Sequence, residues 1–142
     1  MPTKTRKILI LSLIAALATF SGCGGGDSSS SESVIPPGTA LPARTLSWEP
    51  PTSYVDATPM NPVTELDQFE IYVNETGTFT ATDVPTASLG AVDPKTSAIT
   101  SSFNLANLVP HVTAGPKYFV SLRAVALTGL KSDFSPPVSF SF

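Results

Sequence analysis

From about Leu41 onward, apolar and polar residues alternate in short runs. Leu46 and Trp48 fall on one side of Arg44–Glu49, and Phe69, Ile71 and Val73 on one side of Gln68–Asn74. Phe103 and Leu105 share a side of Ser101–Asn107, as do Tyr118, Val120, Leu122 and Ala124 in Lys117–Val125. Val138, Phe140 and Phe142 close the chain in the same way. A period of two sets successive side chains on opposite faces of a strand. Pro, Gly, Asn and Asp break the runs apart, as turns require. No stretch after residue 40 keeps a 3.6-residue period for three turns. Half-polar strands predict antiparallel sheet with one face on the core and one in water. Several of them over about 100 residues predict an all-β, two-sheet antiparallel β-sandwich.

The first residues follow a different pattern. Met1 to Lys7 carries three positive charges and no negative one, and Ile8 to Phe20 is apolar except for Ser12 and Thr19. As a helix, that apolar run spans about 20 Å, short of the roughly 30 Å hydrocarbon core of a bilayer. A charged start, a short apolar middle and small residues after it predict a secretory signal peptide. The end of this segment, Phe20-Ser21-Gly22-Cys23, resembles the bacterial lipoprotein signal. The resemblance implies cleavage between Gly22 and Cys23, with residues 1–22 as the leader. Cys23 would then be acylated and hold the chain on a membrane of the bacterial envelope. Gly24, in place of Asp, implies the outer membrane if the cell is Gram-negative. A lone cysteine in an exported chain has no internal disulfide partner, which agrees with a lipid attachment. Several acyl chains anchor stably, because each buried methylene contributes about 0.8 kcal/mol.

Residues 23–40 read as lipidated Cys and tether. Gly24 to Ser33 contains no apolar side chain, so it cannot offset the entropy of ordering its backbone. A Gly/Ser coil of this length holds a domain roughly 20–25 Å from its anchor. Composition sharpens the picture. Proline accounts for 14 of 142 residues, about twice the ordinary share of roughly 5%, which argues against long helices. Removing the leader leaves five basic residues against eleven acids, a net charge of −6. That balance argues against nucleic acid, whose phosphates demand Lys and Arg.

The folded part, residues 41–142, resembles a fibronectin type III domain, an immunoglobulin-like sandwich. Leu46-Ser47-Trp48-Glu49-Pro50-Pro51 is similar to its B strand and Pro-rich exit, and Phe69-Glu70-Ile71-Tyr72-Val73 to its C strand. Leu105 to Pro110 followed by Tyr118 to Val125 is similar to its E–F corner and F strand, and Ser132 to Pro136 to the entry of its G strand. The A strand is marked only by Val34-Ile35-Pro36-Pro37. Leu108 and Tyr118 stand ten residues apart, about four more than the family places there. This leaves open whether the Tyr118 hydroxyl makes the family's corner hydrogen bond. The F–G turn, Ala126 to Lys131, lacks the Arg-Gly-Asp tripeptide of integrin-binding members.

Candidate chemistry is sparse, and the expectation is a protein that is not an enzyme and carries no cofactor and no metal. His111 is the sole imidazole, with no acid within seventeen residues on either side, and reads as a loop histidine. Glu65, Asp67 and Glu70 form the densest acidic cluster. No Gly lies between Gly38 and Gly77 to build a calcium turn, so they read as solvated charge. Trp48, Phe69, Phe103, Tyr118 and Phe140 fall on inner faces. Tyr54, Tyr72, Phe79, Phe119 and Phe134 fall outward.

Two binding surfaces emerge. Tyr72 and Phe119 lie on neighbouring strands, as an exposed patch for a protein or glycan or as a cross-strand pair that steadies the sheet. The connection Pro50 to Leu66 exceeds the roughly 12–15 residues beyond which a loop tends to carry function. It either presents Tyr54 and Met60 to a partner or folds back to cap the sandwich. The functional expectation is an envelope lipoprotein presenting a binding module for protein or polysaccharide. The alternative is a structural lipoprotein packed constitutively in an envelope complex.

Overall fold

The computed structural model describes residues 40–142. The leader, Cys23 and the tether up to residue 39, with Val34–Pro37, lie outside the described residues. The described chain runs β1 (Thr45–Ser47), α1 (Pro62–Glu65), β2 (Leu66–Asn74), β3 (Ala87–Gly90), β4 (Ser102–Asn104), a 3-10 turn (Leu105–Leu108), β5 (Tyr118–Ala126) and β6 (Val138–Phe140). It is all-β apart from those two single turns. Strands β1 and β4 form a two-stranded antiparallel sheet, and the order β3-β2-β5-β6 makes a four-stranded antiparallel one.

Inward side chains of both sheets meet in one core. Leu46 and Trp48 from the β1 segment join Phe69 and Ile71 of β2, Tyr118, Val120, Leu122 and Ala124 of β5, and Phe140 of β6. The Trp48 and Phe69 rings meet edge to face at 5.2 Å. Among the described residues the Trp48 indole N–H is buried without a hydrogen-bond partner.

The strand phase changes once. Between Leu66 and Gln68 the β2–β5 register shifts, and Asp67 is the extra, exposed residue of a bulge. Leu66 and Phe69 therefore both face the core although they are an odd number of positions apart. The expected strand Ser101–Asn107 is shorter than its pattern suggests. The Asn104 side chain accepts the Ala106 N–H and caps a 3-10 turn, so Leu105 reaches the core from that turn.

The Pro50–Leu66 connection is folded structure. Ser53 bridges Pro59, the Tyr54 N–H donates to the Thr58 carbonyl, and the Met60 N–H donates to the Thr52 carbonyl. Asn61 then caps α1 by accepting the Val63 N–H, while Glu65 accepts the Asn61 N–H, a reciprocal cap with Pro at the first helical position. The Tyr54 hydroxyl donates to the Glu65 carboxylate at 2.6 Å. Tyr54 and Met60 are buried at 7% and 5% exposure within the core cluster. They cap one end of the core, the second of the two roles the sequence leaves open for them, and their burial leaves no surface for a partner.

Arg44 and Phe142 lie at the other end. The Leu105 N–H donates to the Arg44 carbonyl, and the Gly115 N–H to the Phe142 carbonyl. The β2 and β5 termini near Glu65 and Leu127 lie opposite, joined by a hydrogen bond from the Leu127 N–H to the Glu65 carbonyl. The Tyr118 hydroxyl accepts the Thr113 N–H at 3.2 Å, which ties the connection between Leu108 and Tyr118 to the start of β5.

Candidate functional site

The outer face of the four-stranded sheet, turned away from the core, is not the wet surface that alternation predicts. Glu70 and Tyr72 on β2, and Ser121 and Val125 on β5, are all buried. Two flanking segments cover them. After β2, the Asn74 side chain accepts the Thr76 and Gly77 N–H groups and donates to the Thr78 carbonyl, and Gly77 takes φ +74°. This turn swings Phe79 over the sheet.

The second segment is Lys131–Ser135, before β6. The Ser132 and Ser135 N–H groups donate to the Ala124 and Leu122 carbonyls, and their hydroxyls accept the Ala124 and Leu122 N–H groups. Two serine side chains thus stand in for backbone carbonyls along β5. The residues between them, Asp133 and Phe134, are carried outward.

Phe79 and Phe134 meet above Tyr72. Their rings lie 5.8 Å apart at 28°, and the Tyr72 ring meets each edge-on, at 6.5 and 4.9 Å. The Arg123 guanidinium sits 4.7 Å from the centre of the Phe134 ring, and its Nε donates to the Ser132 carbonyl. Beneath them the Glu70 carboxylate receives the Lys131 ammonium at 2.7 and 2.9 Å and the Tyr72 hydroxyl at 2.6 Å. Burial pushes the Glu70 carboxyl up. The hydrogen bonds from Lys131 and Tyr72, with the Lys131 and Arg123 charges, outweigh it and hold the carboxyl below its ordinary value. Burial and the Glu70 hydrogen bond push the Tyr72 phenol up to about 12.

These facts revise the expected patch. Tyr72 is 2% exposed and forms the floor under other rings, so it is no contact residue. Phe119 is half-buried on the same face, with Gly77 packed on its ring and the Lys117 ammonium 5.2 Å from the ring centre. The acidic cluster divides: Asp67 is exposed, Glu65 half-buried and Glu70 buried, so only Asp67 is solvated charge. Beside the rings lies a shallow groove of about 500 Å³ between the Gly77–Phe79 and Asp133–Pro137 segments. Its residues lie in two loops far apart in sequence, and only the outward phase of Phe79 and Phe134 signalled it.

Among the described residues no group of three His, Cys, Asp or Glu side chains gathers to hold a metal, and no helix is long and apolar enough to cross a membrane. His111 is exposed, in the connection before β5. No family model matches the chain, and no curated protein and no solved structure matches it either.

Proposed function

We propose that the protein is a bacterial envelope lipoprotein, held by acylated Cys23, that presents a fibronectin type III-like sandwich for non-enzymatic binding of protein or polysaccharide. The observation that carries the binding reading is the open groove between Gly77–Phe79 and Asp133–Pro137. The sheet orders β1-β4 and β3-β2-β5-β6 support the fold, because they are the B–E and C′–C–F–G pairings of such a sandwich. The bond from Thr113 to the Tyr118 hydroxyl supports it too, since a tyrosine near the start of the F strand ties its corner in this way. The Phe20–Cys23 sequence supports the anchor.

Constitutive packing in a complex calls for an apolar sheet face without cover. Here the chain's own Phe79 and Phe134 lie over Tyr72, which favours a module that folds first and binds afterwards.

Labelled palmitate and envelope pull-down test this reading together. Wild type incorporates label, fractionates with membranes and retains a partner, while Cys23→Ser loses label and membrane association. Equal labelling of both proteins would refute the anchor. A wild-type pull-down with no specific partner would refute the binding module.

A further inference from the structure

We propose that the groove between Gly77–Phe79 and Asp133–Pro137 binds an extended, proline-rich peptide segment carrying Lys or Arg. This deepens the binding-module reading and rests on it.

The argument starts from what the rings can offer. A sugar stacks on an open aromatic face. Phe134 has the Arg123 guanidinium on its ring, Phe79 beside it and Tyr72 against it. Phe79 is likewise packed against Phe134 and Tyr72. The groove therefore offers ring edges and proline rings rather than a flat platform. Ridges of that kind accept the proline rings of a polyproline II helix, which arrives already ordered and loses little entropy on docking.

The groove's backbone argues against the other extended ligand, an added β-strand. Pro136 and Pro137 have no N–H, so this wall cannot supply a ladder of donors. A polyproline II ligand keeps its backbone carbonyls solvated, so it does not depend on a ladder of backbone donors. The Thr78 hydroxyl, on the facing wall, is exposed and available to one ligand carbonyl.

Charge then selects among such ligands. Among the described residues the Asp133 carboxylate has no cationic partner, since the one ion pair joins Lys131 to Glu70. The neighbouring cations are engaged: Arg123 with Phe134 and the Ser132 carbonyl, Lys117 with Phe119, and Lys131 with Glu70. An exposed acid at the groove edge of an acidic chain favours a basic residue beside the ligand prolines.

The test uses the full chain, isotopically labelled, in detergent micelles. A capped peptide of Pro-Pro-Lys repeats is titrated and amide shifts are followed by NMR. Saturable shifts at Gly77, Thr78, Phe79 and Ser135 are expected, with none from a Gly-Ser-Lys peptide of equal charge. Asp133→Asn should weaken binding about two- to fivefold, the scale of one exposed charge contact. The double variant Pro136→Ala, Pro137→Ala should weaken it further, with the core amides unmoved. Three results overturn the proposal: no saturable shift in the groove, equal shifts from the Gly-Ser-Lys peptide, or shifts at these amides from cell-wall oligosaccharides but not from the proline peptide. Anchoring is not probed here, so failure of the peptide alongside a partner retained in envelope pull-down would condemn the groove and spare the binding module.

Discussion

The Lys131 ammonium and the Glu70 carboxylate meet at 2.7 Å across 61 residues of sequence. Glu70 is nearly closed to solvent and Lys131 is 40% exposed on its side chain. The pair therefore joins the segment before β6 to the middle of β2 and satisfies an acid that burial alone would neutralise. Lys131→Met leaves that acid buried with only Tyr72 and the nearby Arg123 charge. Full burial would make such a loss cost about 3–5 kcal/mol. Half-exposure of Lys131 reduces this to about 1–2 kcal/mol, read as a lower urea midpoint. In the variant, the Glu70 carboxyl should titrate higher than in the wild type.

The same network sets how stability changes with pH. The Glu70 carboxyl is depressed in the folded state, so its contribution is present above the ordinary carboxylate value and lost as pH falls through the folded one. The Tyr72 phenol is raised from 10.0 to about 12. Its contribution is full below pH 10 and lost as pH rises toward 12. Urea midpoints should fall at both extremes. Tyr72→Phe should remove the alkaline component, and with it a late phenol titration in the absorbance of the folded wild type.

Tyr54→Ser and Met60→Ser are expected to lower stability by about 2–5 kcal/mol each, the usual cost of emptying a buried site. Tyr54→Phe keeps the packing and removes the hydroxyl with its bond to the Glu65 carboxylate, for about 1.5 kcal/mol. Chemical denaturation distinguishes these variants. An unchanged midpoint for the Ser variants would mean that the connection is not part of the core.

Ser135→Ala removes the acceptor of the buried Leu122 N–H. A stranded buried donor costs about 1–3 kcal/mol. Hydrogen exchange at Leu122 should accelerate well beyond that at Val120, and Phe134 should lose its fixed position over Tyr72.

Gly77→Ala combines two strains. The backbone stands at φ +74°, and an added Cβ meets the Phe119 ring at 3.1 Å. A loss of about 1–2 kcal/mol is expected. Phe119→Ala in the same chain relieves the steric part alone, so the double variant should fall short of the sum of the singles.

The strands that alternate cleanly are those the pattern locates: Leu46 with Trp48, the Phe69–Val73 run, Tyr118–Ala124, and Val138 with Phe140. Where local chemistry bends the chain, the pattern misleads. The Asp67 bulge hides the start of β2, and the Asn104 cap converts the end of an expected strand into a turn. The helix Pro62–Glu65 is one turn long and too short to show a period. Strand β3, Ala87–Gly90, alternates half-buried with exposed residues at a sheet edge, where little burial shapes its composition. The site residues failed for a different reason. Tyr54 and Tyr72 are covered by partners 7 to 62 residues away, namely Glu65, Phe79 and Phe134, and no strand alternation announces partners that lie in other segments.

Trp48, the chain's single tryptophan, lies between the sheets, 3% exposed, against Phe69 and without a bond to its indole nitrogen. The molecule therefore carries its own optical probe at the seam of its two halves. Folded protein should emit at short wavelength from a dry, apolar surround. A red shift marks the moment when β1 parts from β2, so one fluorescence trace follows the opening of the entire core.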